Sequence, residues 1–222
     1  MSLLALKLVS PPATEPITLV EAKSWLHLDT GFIDDDAIVT GLIQAARERV
    51  EDYTGRSLVS QQWRFSLDWF PSFHPHDTAP ARPGGYFGVG TWWWDTQAIY
   101  LPRAPLISVD SLTYQAVDGS TQTLDESGYV VDSDSEPARI LPAYNAYWPT
   151  ALQVPNAIQI TYTAGYENIP QTFILAMQLA ITAWYQNPSD FYIGAGAVSS
   201  LPLGSQRLLQ AHRINPFDYS VR

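Results

Sequence analysis

The stretch Ile99-Tyr-Leu-Pro-Arg-Ala-Pro-Leu-Ile-Ser-Val-Asp-Ser-Leu-Thr-Tyr114 belongs to a strand-rich middle part of the chain. Two short amphipathic helices are predicted before it, and one apolar helix from Pro170 to Tyr185 is predicted after it. No catalytic motif accompanies this order of segments. The order is typical of a scaffold that works by contacting other proteins.

The predicted helices have clear start signals. Thr18 is followed three residues later by Glu21, which predicts a capping box at the start of the first helix. Asp34-Asp35-Asp36 would begin the second helix, because carboxylates suit the positive end of a helix. We expect its apolar stripe to be Ile38, Leu42, Ala46, Val50 and Tyr53, with Arg47, Glu48, Glu51 and Asp52 mostly on other faces.

The strand signals lie between the second and third helices. Alternation begins near Leu58, and Asp118-Gly119 marks a hairpin turn between two later strands. The third helix is apolar on more than one face, so it should be a central core element or contact neighbouring subunits. The predicted organisation is an extended N-terminal arm (1–16), a helical bundle (17–57 and 168–187), a β-rich insertion (58–167) and a C-terminal tail (188–222) with a short helix.

Composition favours a protein whose surface is covered by partners. Hydrophobic residues make up 46% of the 222 residues and charged residues only 15%. The simplest explanation is that other copies of the same chain cover this surface. The net charge of −10 argues against nucleic-acid binding through a basic face, although an acidic wall that repels DNA fits it.

Several functional classes find little support in the residues. The absence of cysteine excludes disulfides, thiolate zinc sites and cysteine nucleophiles. No apolar run is long enough to span a bilayer, so we expect a soluble protein made in the cytoplasm, without a membrane partner. His74, His76 and Asp77 are interpreted as a solvated loop rather than a metal site, and Asp34-Asp35-Asp36 as a helix start rather than a calcium site. We therefore predict no catalytic residue, no metal and no cofactor.

A Trp-rich loop spans residues 71–96. Its aromatic side chains could anchor a protein interface, which we favour, or stack on sugars. The predicted subunit or tail interface consists of Trp92, Trp93, Trp94, Tyr86 and Phe87.

The C-terminal tail differs in charge from the rest of the chain. Residues 191–222 contain three arginines and one aspartate, a net charge of +2, which leaves −12 for residues 1–190. A mildly basic and apolar segment suits an acidic partner surface, although a frayed terminus is the alternative. The predicted docking residues are Leu201, Leu203, Arg207, Leu208, Leu209 and Arg213. So short a helix should order on binding.

A series of motifs carries a family resemblance. They are Pro16–Leu26, Asp34–Ile38, Ala45–Gly55, Leu101–Val109, Val154–Tyr166, Ile169-Pro170, Leu201–Gly204 and Leu208-Leu209. Their order, over about residues 16–213, resembles the head-tail connector (adaptor or head-completion) proteins of tailed bacteriophages. The Trp-rich loop is longer and more aromatic than this family leads us to expect, so the resemblance assigns it no role.

The resemblance implies an α+β fold, a small helical bundle with a β-rich insertion, and a place at the head-tail junction of a virion. It implies a ring, commonly of twelve copies, that binds the portal protein and presents a platform to the next connector, stopper or tail protein. DNA would pass through the ring without sequence-specific binding. The tail residues would then dock on the portal. A carbohydrate-binding or host-attachment module that uses the Trp-rich loop is the alternative.

Overall fold

The computed structural model describes residues 5–71, 97–187 and 201–214. These residues form two compact units, a β unit (5–11, 61–71 and 97–164) and a helical unit (12–60, 165–187 and 201–214). The fold is α+β, as predicted. The Trp-rich loop from residue 72 onward, with Tyr86, Phe87 and Trp92 to Trp94, lies outside the described residues, and so does the His74, His76 and Asp77 group.

Four helices build the helical unit: α1 (Leu19–Trp25), α2 (Asp36–Thr54), α3 (Gln171–Gln186) and α4 (Leu203–Leu209), which continues into a 3-10 turn, Gln210–His212. The predicted capping box begins α1, because the Glu21 amide donates to Thr18 Oγ1 at 3.2 Å and the Thr18 amide donates to the Glu21 carboxylate at 2.8 Å. Apolar residues of α2 and α3 meet in its core: Val39, Ile43, Ala46, Val50, Phe173, Ala176, Met177, Ala180 and Ile181.

The apolar stripe predicted for α2 was partly wrong. Ile38 is 57% exposed, and Val39 and Ile43 face the core instead. Arg47 and Glu51, expected mostly on other faces, are both 4% exposed and pair with each other at 3.0 Å. The positions that include Ile38 and those that include Val39 both have helical spacing, so spacing alone does not choose between them. The opposite charges of Arg47 and Glu51 neutralise each other, which allows both side chains to be buried.

The second helix begins at Asp36, as Asp34-Asp35-Asp36 predicted, and two of these aspartates also make side-chain contacts. Asp35 precedes the helix but makes no side-chain capping hydrogen bond. Its carboxylate instead accepts a hydrogen bond from the Tyr185 hydroxyl, and Asp36 pairs with Lys23 at 2.7 Å. These carboxylates therefore fix tertiary contacts of the helical unit.

The β unit consists of antiparallel strands. A five-stranded sheet has the order β1-β2-β8-β4-β5, formed by Ala5–Ser10, Gln61–Leu67, Ile158–Ala164, Leu106–Gln115 and Thr121–Thr123 in that order. A three-stranded sheet has the order β3-β7-β6, formed by Ile99–Tyr100, Arg139–Pro142 and Tyr129–Asp132. The core of the β unit includes Phe65, Leu101, Leu112, Ile140, Ile158, Ile160 and Tyr162.

The turn at Asp118-Gly119 and the N-terminal strand β1 were both addressed by the sequence predictions. The hairpin at Asp118-Gly119 is confirmed, since Gly119 has a φ of +85° and the turn joins β4 to β5. The segment expected to be an extended arm contains β1, which pairs with β2 along the edge of the sheet. Strand pairing, which satisfies backbone hydrogen bonds, therefore ties residues 5–10 into the unit.

Candidate protein-binding surfaces

The predicted docking residues of the C-terminal segment divide into two groups. Leu201 and Leu209 are buried in the core of the helical unit, where they cannot contact a partner. Leu203 is 73% exposed, Arg207 and Arg213 are exposed, and Leu208 is half-buried. We call Leu203, Arg207 and Arg213 the basic face.

Contacts with α2 and α3 hold this segment in place. The Ser205 hydroxyl, which is buried, donates to the Ala176 carbonyl at 2.9 Å. Arg56 Nε donates to the His212 carbonyl at 2.7 Å, and the Ile214 amide donates to the Thr54 carbonyl at 2.8 Å. The segment is thus ordered within its own chain, contrary to the expectation that it would order only on binding.

The basic face contains no carboxylate of its own. Residues 201–214 include two arginines and neither aspartate nor glutamate. The Arg213 guanidinium lies over the Tyr53 ring, 5.4 Å from its centroid, whereas Arg207 has no ion-pair partner among the described residues. The positive charge of Arg207 is therefore available to another molecule.

A second exposed surface was missed by the sequence analysis. It lies where α1 passes to α2 and includes Phe32 (41% exposed), Ile33 (70% exposed) and Ile38 (57% exposed). Asp29 and Asp34 are exposed beside them in the sequence. We call these five residues the acidic corner. The available signal was an apolar pair, Phe32-Ile33, between the polar residues Asp29-Thr30 and Asp34-Asp35.

Lys23 fixes the backbone of the acidic corner. Its ammonium group is buried and donates to the Thr30 carbonyl at 3.1 Å, to the Phe32 carbonyl and to the Asp36 carboxylate at 2.7 Å. A buried ammonium needs such partners, since an unpaired one is costly. The loop is consequently held with Phe32 and Ile33 facing outward.

The carboxylates of the β unit serve local structure. Asp118, Asp125 and Asp132 each accept a hydrogen bond from a serine amide two or three residues later. Side-chain and backbone hydrogen bonds from these serines lower the pKa of each aspartate, and Arg139 lowers that of Asp132 further. No group of three or more His, Asp or Glu residues in the described part of the chain is arranged to hold a metal ion.

Apolar side chains held in the open beside charges are typical of proteins that act through contacts with other proteins. No helix within residues 5–71, 97–187 and 201–214 is long and apolar enough to cross a membrane. These surfaces favour the class of proteins that work by contacting other proteins.

The sequence identifies the family. The model of the phage gp6-like head-tail connector proteins matches residues 16–134, so the chain belongs to this family and is a structural connector of a phage-type virion. Its place is the junction of head and tail. No curated protein matches the sequence.

Solved structures share the fold. A chain from the neck of an empty gene transfer agent (GTA) particle, computed with C6 symmetry, is 20% identical with a TM-score of 0.64, and the match covers 94% of this chain and 95% of that chain. A chain from the virion of the native GTA particle is 22% identical with a TM-score of 0.64, and the match covers 94% of both chains. A chain from the neck of the native particle, computed with C12 symmetry, is 19% identical with a TM-score of 0.59, and this match also covers 94% of both chains.

Proposed function

We propose that this protein forms a ring of twelve copies at the head-tail junction, bound to the portal protein on the head side and to the next connector, stopper or tail protein on the other side. The observation that carries the proposal is the fold match, over 94% of the chain, to components of necks treated with C6 and C12 symmetry. Membership of the head-tail connector family supports the same place in the virion.

The charge of the chain suits a channel that DNA traverses. The net charge is −10, and several cations are already neutralised or buried. Lys23 and Arg47 are buried in ion pairs, and Arg139 pairs with Asp132 at 2.8 Å. A surface with few free cations releases few counterions from DNA, so DNA would slide through without sequence-specific binding.

The proposed role requires no catalytic step and no cofactor. Its work is done by surfaces that bind other proteins. The part of the C-terminal segment that can reach another protein is now reduced to the exposed or half-buried Leu203, Arg207, Leu208 and Arg213. These four residues form a protein-binding surface, and Trp92 to Trp94 with Tyr86 and Phe87 form the proposed subunit or tail interface.

The proposed function is tested by deleting the gene for this protein from the phage-type genome that carries it. We expect DNA-filled heads that lack tails, because the tail would have no platform to join. Expression of the wild-type chain from a plasmid should restore tailed particles, and electron microscopy of the restored junction should show a twelvefold ring.

Two outcomes would overturn the proposal. Tailed, infectious particles formed without the gene would remove the connector function. Normal particle assembly combined with lost binding to host cells or glycans would instead favour the attachment module.

A further inference from the structure

The helical unit has two exposed surfaces of opposite charge, and we propose that they bind each other between neighbouring copies, with the basic face of one copy on the acidic corner of the next. The inference rests on the proposed ring and names the contact that would close it. The occupant of each surface is therefore a second copy of this chain.

Arg213 of the basic face and the acidic corner lie toward opposite ends of α2. Ile214 and Arg213 contact Thr54 and Tyr53, at the C-terminal end of α2. The acidic corner surrounds the N-terminal end of the same helix, which begins at Asp36. Since α2 has 19 residues and a helix rises about 1.5 Å per residue, its ends are roughly 28 Å apart. One copy can therefore use both surfaces at once with two different neighbours.

The apolar parts of the two surfaces can cover each other. Leu203 is the most exposed large apolar side chain of the C-terminal segment, and Ile33 that of the acidic corner. Exposed apolar side chains of this size, rimmed by charge, are characteristic of the centre of an interface and its polar rim. Docking would remove Leu203, Phe32 and Ile33 from water together.

The charges favour a head-to-tail contact between unlike surfaces over a symmetric contact between two like surfaces. Arg207 and Arg213 are exposed on the basic face, and Asp29 and Asp34 on the acidic corner. Arg207 and Asp34 both lack an ion-pair partner among the described residues. Two copies joined corner to corner, or face to face, would bring like charges together, whereas a corner on a face pairs opposite charges.

A head-to-tail contact has a structural consequence. Each copy offers one acidic corner and one basic face, so every copy in a closed ring has both surfaces occupied. The low charged fraction of the chain, 15%, agrees with a surface of which much is covered in the assembled state.

Cross-linking can test the contact in assembled particles, because the chain has no cysteine of its own. Ala37→Cys and Gln210→Cys introduce thiols at exposed positions next to the two surfaces without removing any residue that defines them. With a short bismaleimide, the double variant should give a ladder of covalent multimers that ends at the ring size. A mixture of the two single variants should give dimers only.

Surface variants provide a second measurement. Ile33→Asp and Leu203→Asp change exposed residues, so each variant should stay folded while its self-association weakens at least about tenfold. Mixed in equal amounts, the two variants should form 1:1 dimers that grow no further, since each retains one working surface. Ile107→Asp, at a 53% exposed position of the β unit, is the matched control and should assemble as the wild type does.

The outcomes separate this inference from the proposed function. Tailed particles with a twelvefold ring but no ladder from the double variant would overturn the contact and leave the connector function standing. A covalent product between the Gln210→Cys variant and a different, larger protein would assign the basic face to the portal and overturn the contact as well. Absence of a ring from tailed particles would overturn both.

Discussion

Charged side chains inside the helical unit have a structural function that their residue type does not suggest. Arg47 donates to Glu51 at 3.0 Å and to Glu15 at 2.8 Å, and Glu51 also accepts a hydrogen bond from the Leu58 amide at 2.8 Å. The pair thus joins α2 to the segment before α1 and to the chain that leaves α2. Burial would lower the pKa of Arg47, but its two carboxylate partners raise it overall, so it remains charged.

Glu51→Ala tests the importance of this buried pair. The variant leaves a buried guanidinium with one partner fewer and a buried Leu58 amide without its acceptor, so we expect a loss of about 2 kcal/mol or more in the free energy of unfolding. The control is Glu48→Ala, whose carboxylate is exposed and lies 3.5 Å from Arg47. This control should cost less than about 0.5 kcal/mol. Equal losses in urea unfolding would contradict the assigned burial.

Asp132 gives the β unit a pH dependence. Hydrogen bonds from Ser135 and Arg139 lower the pKa of Asp132 in the folded state, so its contribution to stability is present above the ordinary carboxyl pKa and is lost as the pH falls through the lowered value. Asp132→Asn should cost less than about 1 kcal/mol at pH 7, because the pair is partly exposed.

The difference between this variant and the wild type should shrink as the pH falls below about 4, where the wild-type carboxyl takes up its proton. Thermal unfolding across this pH range measures it, with Asp134→Asn as the exposed control. A difference that stays constant down to pH 2 would show that the charge of Asp132 does not contribute.

At the scale of elements, the short helix α4 illustrates how packing replaces intrinsic stability. A helix of seven residues is marginal alone, since nucleation is costly and few backbone bonds follow it. Leu201 and Leu209 bury their side chains against the other helices, and Ser205 bonds to the Ala176 carbonyl. Burial of one side of α4 leaves Leu203 and Arg207 outward, which determines the basic face.

The connection from β8 to α3 depends on a glycine. Gly165 has a φ of +151°, and a Cβ atom there would lie 2.4 Å from the backbone carbonyl of Val59. Gly165→Ala should therefore destabilise the protein by several kcal/mol or prevent folding, because backbone atoms would have to move. Thermal unfolding and soluble yield measure the effect.

Gly41→Ala is the matched glycine variant. Gly41 lies inside α2, and a Cβ there would point into open space, so the change should stabilise the helix by up to about 1 kcal/mol. If both glycine variants lose stability to the same extent, the close approach of Gly165 to Val59 is not the cause.

At the scale of the whole molecule, the net charge of −10 opposes the polyanionic surface of DNA. Arg56, the cation nearest the exit of α2, is buried and donates to the Tyr166 hydroxyl at 2.8 Å and to the His212 carbonyl at 2.7 Å. Such a cation stabilises the fold and is not offered to phosphates.

The isolated protein should accordingly show no salt-sensitive affinity for duplex DNA. Fluorescence anisotropy with a labelled duplex, from low to physiological salt, measures this. Tight binding that weakens steeply with added salt would indicate several phosphate contacts and would contradict a channel through which DNA passes freely.

The sequence by itself determined the features that depend on neighbouring residues. The capping box of Thr18 and Glu21 and the hairpin at Gly119 each rest on interactions within a few positions, so local patterns predicted them. The order of these elements was sufficient to indicate the family.

Only the tertiary structure decided which side of each element is covered. Whether Ile38 or Val39 faces inward depends on α3, which lies more than a hundred residues away in the chain, and the pairing of β1 with β2 joins residues 5–10 to residues 62–66. The packing of distant helices also decides that Leu209 is buried and Leu203 is exposed. A periodic pattern gives the spacing of apolar positions but not the direction from which a distant partner packs, and the free energy of burial is determined by that partner.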